Sequence, residues 1–418
     1  MVEAIILAGG LGTRLREAVP DLPKCMAPVV GKPFISFVID ALRMQGVEHF
    51  IFSLGYKADA IESFLQEHYP TLSYSVAIEE EPLGTGGAIQ LAIQQAQTEN
   101  VLIANGDTLF RIQYKDLLAI HQENYAECTL ALKPMRNFNR YGVVELDAAN
   151  RIVSFKEKQH YDEGLINGGI YLVNKSAFLN RKLPPKFSFE KDYLEAFCKE
   201  SKFFGAIQEG YFIDIGIPED YNKAQTDLKS TPLDLNKVDK TWTLFLDRDG
   251  VINDEIVGTY VLNWEGFNFS PGVLQAMKIL SDKVGTIVVI SNQRGVGKGL
   301  MTEEDLTNIH QNLIAEVTAA GGRIDHFFYC TEKENTCFNR KPNPGMALQA
   351  AARFPEIDLS RTIMVGNKPS DMRFGRAAGV YTVFVTTTNP HEPFPHPDVD
   401  LRFDNLLAFA QALAPNAS

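Results

Sequence analysis

"LFLDRDGVIND", Leu244 to Asp254, carries an apolar run into two aspartates two positions apart, followed by glycine. In an extended strand, residues i and i+2 point to the same side, so Asp247 and Asp249 project together from the end of a buried strand. Paired carboxylates repel, and burial worsens the repulsion. A divalent cation and a division of roles remove the problem, one acid attacking and the other moving a proton. The competing reading is an Asx-type turn with a solvated acid pair. Three further segments decide against it. "VVISNQRG" ends a strand in Ser291, Asn292 and Gln293, "NRKPNPGM" supplies Lys341, and "MVGNKPSD" ends another strand with Asn367, Lys368 and Asp371. Strand ends of one parallel sheet converge on its carboxyl edge, where open α/β folds place their sites.

Working outward, the same pattern occurs in both halves. "EAIILA", "HFIFSLG" and "NVLIANGD" in the first half, and "TLFLD", "GTIVVISN" and "RTIMVGN" in the second, are continuous apolar runs. Parallel strands buried on both faces read this way. Between them, "ISFVIDALRMQG" and "PGVLQAMKILSDKVG" space apolar residues by three and four and end in glycine, as amphipathic helices do. The expected fold is α/β in two domains, each a mostly parallel sheet flanked by helices. The polar stretch "KSTPLDLNKVDK" is the linker candidate, giving domains over 1–228 and 241–418 joined by 229–240.

Composition bounds the function. The 418 residues are 45% hydrophobic and 22% charged, ordinary for globular chains, with a net charge of −12. That balance argues against a nucleic-acid partner but admits small anionic substrates in a local basic pocket. The five cysteines, Cys25, Cys128, Cys198, Cys330 and Cys337, are sparse and odd in number, which reads as a reduced interior. No basic leader precedes "VEAIILAGG", and no apolar run reaches the roughly 18–20 residues that span a bilayer. The expectation is a soluble, cytoplasmic protein without a membrane partner; homo-oligomerisation is left open.

In the first half, "LAGGLGTRL" follows the first strand. Leu15 breaks the dinucleotide fingerprint, and no Gly-Lys-Ser/Thr follows to make a Walker loop. Glycines at 9, 10 and 12 let backbone N–H groups approach a triphosphate, although a tight strand-to-helix turn explains them equally well. The loop is followed in order by "PKCMAPVVGKPF", "EEEPLGTGGAI", "ANGDTLF", "RYGVV", "FKEK", "INGGIYL" and "YFIDIGIPEDY". As a series, over residues 1 to about 228, these resemble the Rossmann-like sugar-1-phosphate nucleotidyltransferase family. "LPKCMAPV", "FSFEKDYL" and "YFIDIGIPEDY" look closest to its D-glycero-D-manno-heptose 1-phosphate guanylyltransferase branch, which uses GTP. The resemblance implies that Asp107 and Asp214 hold Mg²⁺ and that Arg14 and Lys24 face the triphosphate beside Ala8, Gly9, Gly10, Gly12 and Thr13. It implies further that Gly84 and Thr85 border the base and ribose, with Asn105 and Gly106 near the nucleotide. Gly142, Glu157, Lys158, Asn167 and Gly168 would meet the sugar phosphate. Outside the series, Lys24 is a surface lysine by default, the aspartates are turn formers, and "FKEK" is a solvated strand edge.

The second half, over about 241–390, resembles the haloacid dehalogenase-like phosphatases, a Rossmannoid superfamily. "DRDGVIN", "SNQRGVGKG" and "RKPNPGM" look most like its heptose bisphosphate and histidinol-phosphate branch. The resemblance implies that Asp247 attacks phosphorus and that Asp249 serves as acid and then base, with Ser291 and Lys341 on the phosphoryl oxygens. Asn292, Gln293, Arg294, Arg340 and Lys368 would contact substrate, and Mg²⁺ would sit among Asp247, Asp249, Asn367 and Asp371. Two departures stand out. Asn367 replaces the usual aspartate, so metal binding would carry less charge, with Asp371 available to compensate. Cys330 and Cys337 match a zinc loop of relatives, but Glu332 and Asn339 occupy its other ligand positions, and two cysteines with an asparagine do not make a structural zinc site.

The two resemblances name consecutive steps, removal of the 7-phosphate from a heptose 1,7-bisphosphate and guanylylation of the heptose 1-phosphate. The expected function is therefore a bifunctional enzyme of GDP-heptose synthesis. Its rivals are an active transferase, taking mannose or glucose 1-phosphate, with a non-catalytic phosphatase-like module, and a phosphatase acting on histidinol phosphate.

Overall fold

The computed structural model describes residues 1–10, 22–200, 202–229, 231–256 and 258–413. The chain divides into two compact units, Met1–Lys229 and Ser230–Ser418. Leu233 and Val238 are buried in the apolar core of the second unit, so the stretch after Lys229 packs there.

In the first unit, the apolar runs form the strands Glu3–Leu7, His49–Leu54, Ser73–Ile78 and Asn100–Asn105. Glu3–Leu7 lies between His49–Leu54 and Asn100–Asn105, parallel to both. The register sets Leu7 level with Ser53 and with Asn105, so these strands end together. Beyond Asn100–Asn105 the sheet turns antiparallel through Tyr161–Asn174 and Cys128–Phe138. The "NGG" of the long strand explains itself here: the register shifts between Asn167 and Tyr171, and Gly169 takes φ +73°, a bulge that favours glycine. The helix Phe34–Arg43 buries Phe34, Ile35, Val38, Ile39 and Leu42, a stripe at helical spacing that seals one sheet face.

The second unit holds a six-stranded sheet in the order His326–Cys330, Thr286–Asn292, Thr243–Leu246, Thr362–Gly366, Tyr381–Val385 and Leu401–Phe403. All of its pairings are parallel. Leu246 is level with Val289 and Val365, so Asp247, Ser291 and Asn367 leave neighbouring strands at one carboxyl edge. Both units are thus α/β. No helix among the described residues is long and apolar enough to cross a membrane.

Candidate active sites

At the carboxyl ends of the first unit's central strands lies a cavity of about 760 Å³. Its lining gathers Ala8, Gly9, Gly10, Lys24, Gly84, Thr85, Asn105, Asp107 and Asp214, residues drawn from separate motifs. Lys24 reaches in from a short helical turn and forms ion pairs with Asp107 and, at 3.4 Å, with Asp214. Burial works against its charge, but Asp107 and then Asp214 hold the ammonium above the usual lysine range. Gly106 donates its N–H to the Leu7 carbonyl at 2.9 Å, which locks the Asp107 turn to the first strand. Thr85 gives its hydroxyl hydrogen to Glu190 at 2.8 Å and accepts from the Phe189 N–H at 2.9 Å.

Gly142, Glu157, Lys158, Asn167 and Gly168 fall outside this lining. Asn167 donates to the Tyr171 hydroxyl at 2.9 Å and accepts from the Gly169 N–H at 3.0 Å, while Glu157 and Lys158 are exposed. A Cβ on Gly168 would meet the Phe110 ring at 2.3 Å, and one on Gly142 would meet the Lys156 carbonyl at 2.4 Å, so close packing requires both glycines. Gly12, Thr13 and Arg14 lie outside the described residues. Residues that sequence reasoning passed over also line the cavity. Glu79, Glu80 and Glu81 precede the quoted glycines, and Arg140 opens the "RYGVV" motif.

In the second unit, Lys341 is buried with its ammonium 2.8 Å from Asp247 Oδ1 and 2.8 Å from Asp371 Oδ1, and it donates to the Ile290 carbonyl at 2.8 Å. Burial again opposes the charge, and the two carboxylates hold it. Burial lifts Asp247 to about 6, against the pull of Lys341. Asp249 goes the other way. Burial alone would raise it, but the Arg248 guanidinium at 2.9 Å, with hydrogen bonds from Asn253 and Gln293, holds it below the carboxylate range. The two acids are thus shifted in opposite directions, Asp247 upward and Asp249 downward. Gln293 also donates to Ser291 Oγ at 2.7 Å, tying that hydroxyl to Asp249. Arg248 sits between the two aspartates in sequence and Glu255 just beyond them, yet neither was among the expected site residues.

Asn292 makes a two-way clasp, donating to the Lys341 carbonyl and accepting from the Lys341 N–H, both at 3.0 Å. Its amide positions the lysine segment. Lys368 pairs with Glu255 at 2.6 Å, and its N–H caps onto Asp371 Oδ2 at 3.0 Å, so both Asp371 oxygens are engaged. Arg294 and Arg340 share the Asn335 side-chain oxygen, and burial together with Arg294 lowers the Arg340 pKa.

Asn367 answers the question of the missing aspartate. Its Nδ2 donates to Thr388 at 2.6 Å and to Glu255 at 3.3 Å, while its Oδ1 is buried with no protein partner. An orphaned buried carbonyl oxygen at the end of the strand next to that of Asp247 fits a hard cation, which takes amide oxygens as well as carboxylates. Gly250, at φ +89°, allows this approach, because a Cβ there would lie 2.0 Å from Asn367 Nδ2. In the first unit, Asp107 and Asp214 offer two carboxylates, the number magnesium commonly takes from protein when phosphates supply further oxygens. Among the described residues, no group of three or more His, Cys, Asp or Glu is disposed to hold a metal without such help.

Residues 3–231, more than half of the chain, match the family model described as nucleotidyl transferase, and the chain belongs to that family. Residues 338–398 match the HAD-hydrolase-like family, so a nucleotidyl transferase is joined to a HAD-like hydrolase. The relative that speaks to the particular enzyme is the D-glycero-alpha-D-manno-heptose 1-phosphate guanylyltransferase of Aneurinibacillus thermoaerophilus. It is 49% identical over 228 residues, covering 54% of this chain and 99% of that protein. The crystal structure of HddC from Yersinia pseudotuberculosis is 38% identical with a TM-score of 0.51, covering 55% of this chain and all of that one. A D,D-heptose 1,7-bisphosphate phosphatase from B. bronchiseptica, complexed with magnesium and phosphate, is 29% identical over 41% of this chain and 97% of that one. Its TM-score is 0.38.

Proposed function

We propose that the first unit transfers a guanylyl group from GTP to D-glycero-D-manno-heptose 1-phosphate, and that the second supplies that acceptor by removing the 7-phosphate of the 1,7-bisphosphate. The observation that carries the first half is the Lys24 ammonium held between Asp107 and Asp214 in the cavity. A phosphate oxygen of the acceptor attacks the α-phosphorus, the bond from that phosphorus to the β-bridging oxygen breaks, and pyrophosphate departs. Such a transfer needs positioning and charge neutralisation, not a protein nucleophile. Lys24 neutralises the developing charge, and Asp107 and Asp214 would hold Mg²⁺, which when bound screens the triphosphate. The base fits as well. Guanine presents an N1–H and an exocyclic amino group along one edge, two donors that suit a carboxylate, and Glu79, Glu80 and Glu81 line the cavity. Adenine offers an acceptor at N1 and meets those carboxylates badly.

In the second unit, an Asp247 oxygen attacks phosphorus, and the bond to the sugar oxygen breaks as Asp249 supplies its proton. Water, losing a proton to Asp249, then displaces the aspartyl oxygen and releases phosphate. Ser291 and Lys341 stabilise the phosphoryl oxygens. Asp247, the Asp249 carbonyl and Asn367 Oδ1 would hold Mg²⁺, which supplies charge compensation. Arg294 and Arg340 lie next in sequence to the site residues Gln293 and Lys341, a cationic pair suited to a second phosphate on the substrate.

The test uses the whole chain with Mg²⁺, heptose 1,7-bisphosphate and each nucleoside triphosphate in turn, followed by mass spectrometry. GTP alone should give GDP-heptose with both phosphate and pyrophosphate. Conversion of supplied heptose 1-phosphate without phosphate release from the bisphosphate would refute the second half of the reading, as would phosphatase activity that survives Asp247→Asn.

A further inference from the structure

Among the described residues, the lining of the first unit's cavity is short of positive charge for an anionic substrate. Its described lining holds six carboxylates, Glu79, Glu80, Glu81, Asp107, Glu190 and Asp214, against two cations, Lys24 and Arg140. Lys24 is committed to two of those aspartates. Lys158, expected to meet the sugar phosphate, is exposed and outside the lining. Arg140 therefore stands alone among the described lining residues as a cation not taken up by the metal-site aspartates.

Its placement is tied down at two points. Arg140 Nη1 lies 2.5 Å from Asp220 Oδ2, and Asp220 sits in the first turn of the helix Pro218–Asp227, six residues after Asp214. Next to it, Tyr141 meets the Phe212 ring edge-on at 5.9 Å, and Phe212 belongs to the strand that ends in Asp214. Asp220 engages Nη1, and the arginine side chain, part of the cavity lining, is still 37% exposed, so its fork has donors beyond the one Asp220 takes. A guanidinium fork of this kind binds phosphate oxygens in pairs and holds them in a fixed direction.

We propose, building on the reading of this unit as a sugar 1-phosphate nucleotidyltransferase, that Arg140 is a substrate-binding residue for the acceptor: held by Asp220, it grips the anomeric phosphate and aims its attacking oxygen at the nucleotide. Asp220 competes for the guanidinium and gives way to the substrate's phosphate as partner.

The experiment compares Arg140→Gln, Arg140→Lys and Asp220→Asn with the unaltered chain. KM and kcat are measured for GTP and for whichever of heptose, mannose or glucose 1-phosphate the unaltered chain accepts, alongside the melting temperature. Arg140→Gln should raise the acceptor KM by about 10- to 100-fold while the GTP KM stays within about twofold. Arg140→Lys should recover part of the loss, and Asp220→Asn should leave the acceptor KM at or below its starting value. An unchanged acceptor KM in Arg140→Gln overturns the inference. So does an Asp220→Asn variant that reproduces the rise, because the pair would then be structural. Acceptance of mannose but not heptose 1-phosphate overturns only the heptose assignment and still reads out Arg140, whereas turnover of none of the three overturns both.

Discussion

Replacing Lys341 with methionine tests the second site most directly. The ammonium lies 2.8 Å from both Asp247 and Asp371, with 2% of its side chain exposed. Without it, two buried carboxylates face each other uncompensated. Breaking a buried ion pair by removing one partner costs roughly 3–5 kcal/mol. One carboxyl can escape by taking a proton, and Asp247 already sits at about 6. A loss of about 4 kcal/mol is therefore the expectation near neutral pH, or about 8–16 °C in melting temperature at about 2–4 °C per kcal/mol for a unit of this size. In the variant the folded carboxyl pKa values lie above the unfolded ones, so the folded state binds more protons. The deficit should be largest above the folded values and should narrow as pH falls through them. Calorimetry of the whole chain at several pH values, without added magnesium, reads this as movement of the second unit's transition. The double variant Lys341→Met/Asp371→Asn should recover at least half of the loss. A single variant within about 1 kcal/mol of the parent, or a double variant no more stable than the single, would refute the account of Lys341 as the charge that makes this carboxylate site foldable.

Lys24→Met should lower guanylyl transfer by about 100- to 1,000-fold, the scale of losing a preorganised charge at a reacting phosphate, while phosphatase turnover in the same preparation stays unchanged. Asn367→Asp would set a carboxylate oxygen against Glu255, now 3.3 Å from the amide nitrogen. The variant should be less stable without metal and bind Mg²⁺ more tightly, read as a larger metal-induced shift in melting temperature. Each unit also contains a buried histidine held neutral: burial lowers His121 to about 4, and burial with Arg248 lowers His310 to about 3. Because the folded values lie below the unfolded one of about 6.5, stability is intact above that pH and is lost as pH falls below it. The loss should reach about 2 kcal/mol per histidine by about pH 5, and His121→Gln should flatten the slope for the first unit in denaturation series.

Much of this is legible in the sequence. The strands declared themselves because a parallel sheet covered on both faces demands unbroken apolar runs, and Asp247 and Asp249 because period-two spacing points them the same way. The same logic hid Arg248. A strand places it on the opposite face, but its long side chain folds back to hold Asp249. Asn292 reads from sequence as one more polar residue at a strand end. Only the tertiary approach of Lys341 shows that the amide grips that residue's main chain. Arg140 stood inside a quoted motif whose tyrosine and glycine drew the attention, and its partner Asp220 is 80 residues away. Interactions that close long loops leave no local spacing to read. Gly12, Thr13 and Arg14 lie outside the described residues.

The position of Glu3–Leu7 has a consequence for synthesis. Glu3–Leu7 is a middle strand of its sheet, and the two neighbours it pairs with begin only at His49 and Asn100, so it leaves the ribosome well before them. At about 5–20 residues per second, that apolar segment waits several seconds for partners, a window in which chaperones and misassembly compete for it. The Phe203–Ile207 strand completes the sheet, and the first unit ends at Lys229, before the second unit's central strand Thr243–Leu246 has been made. The first unit can therefore assemble while the second is still being translated, and a ribosome that stalls late leaves behind a chain with its first unit fully made.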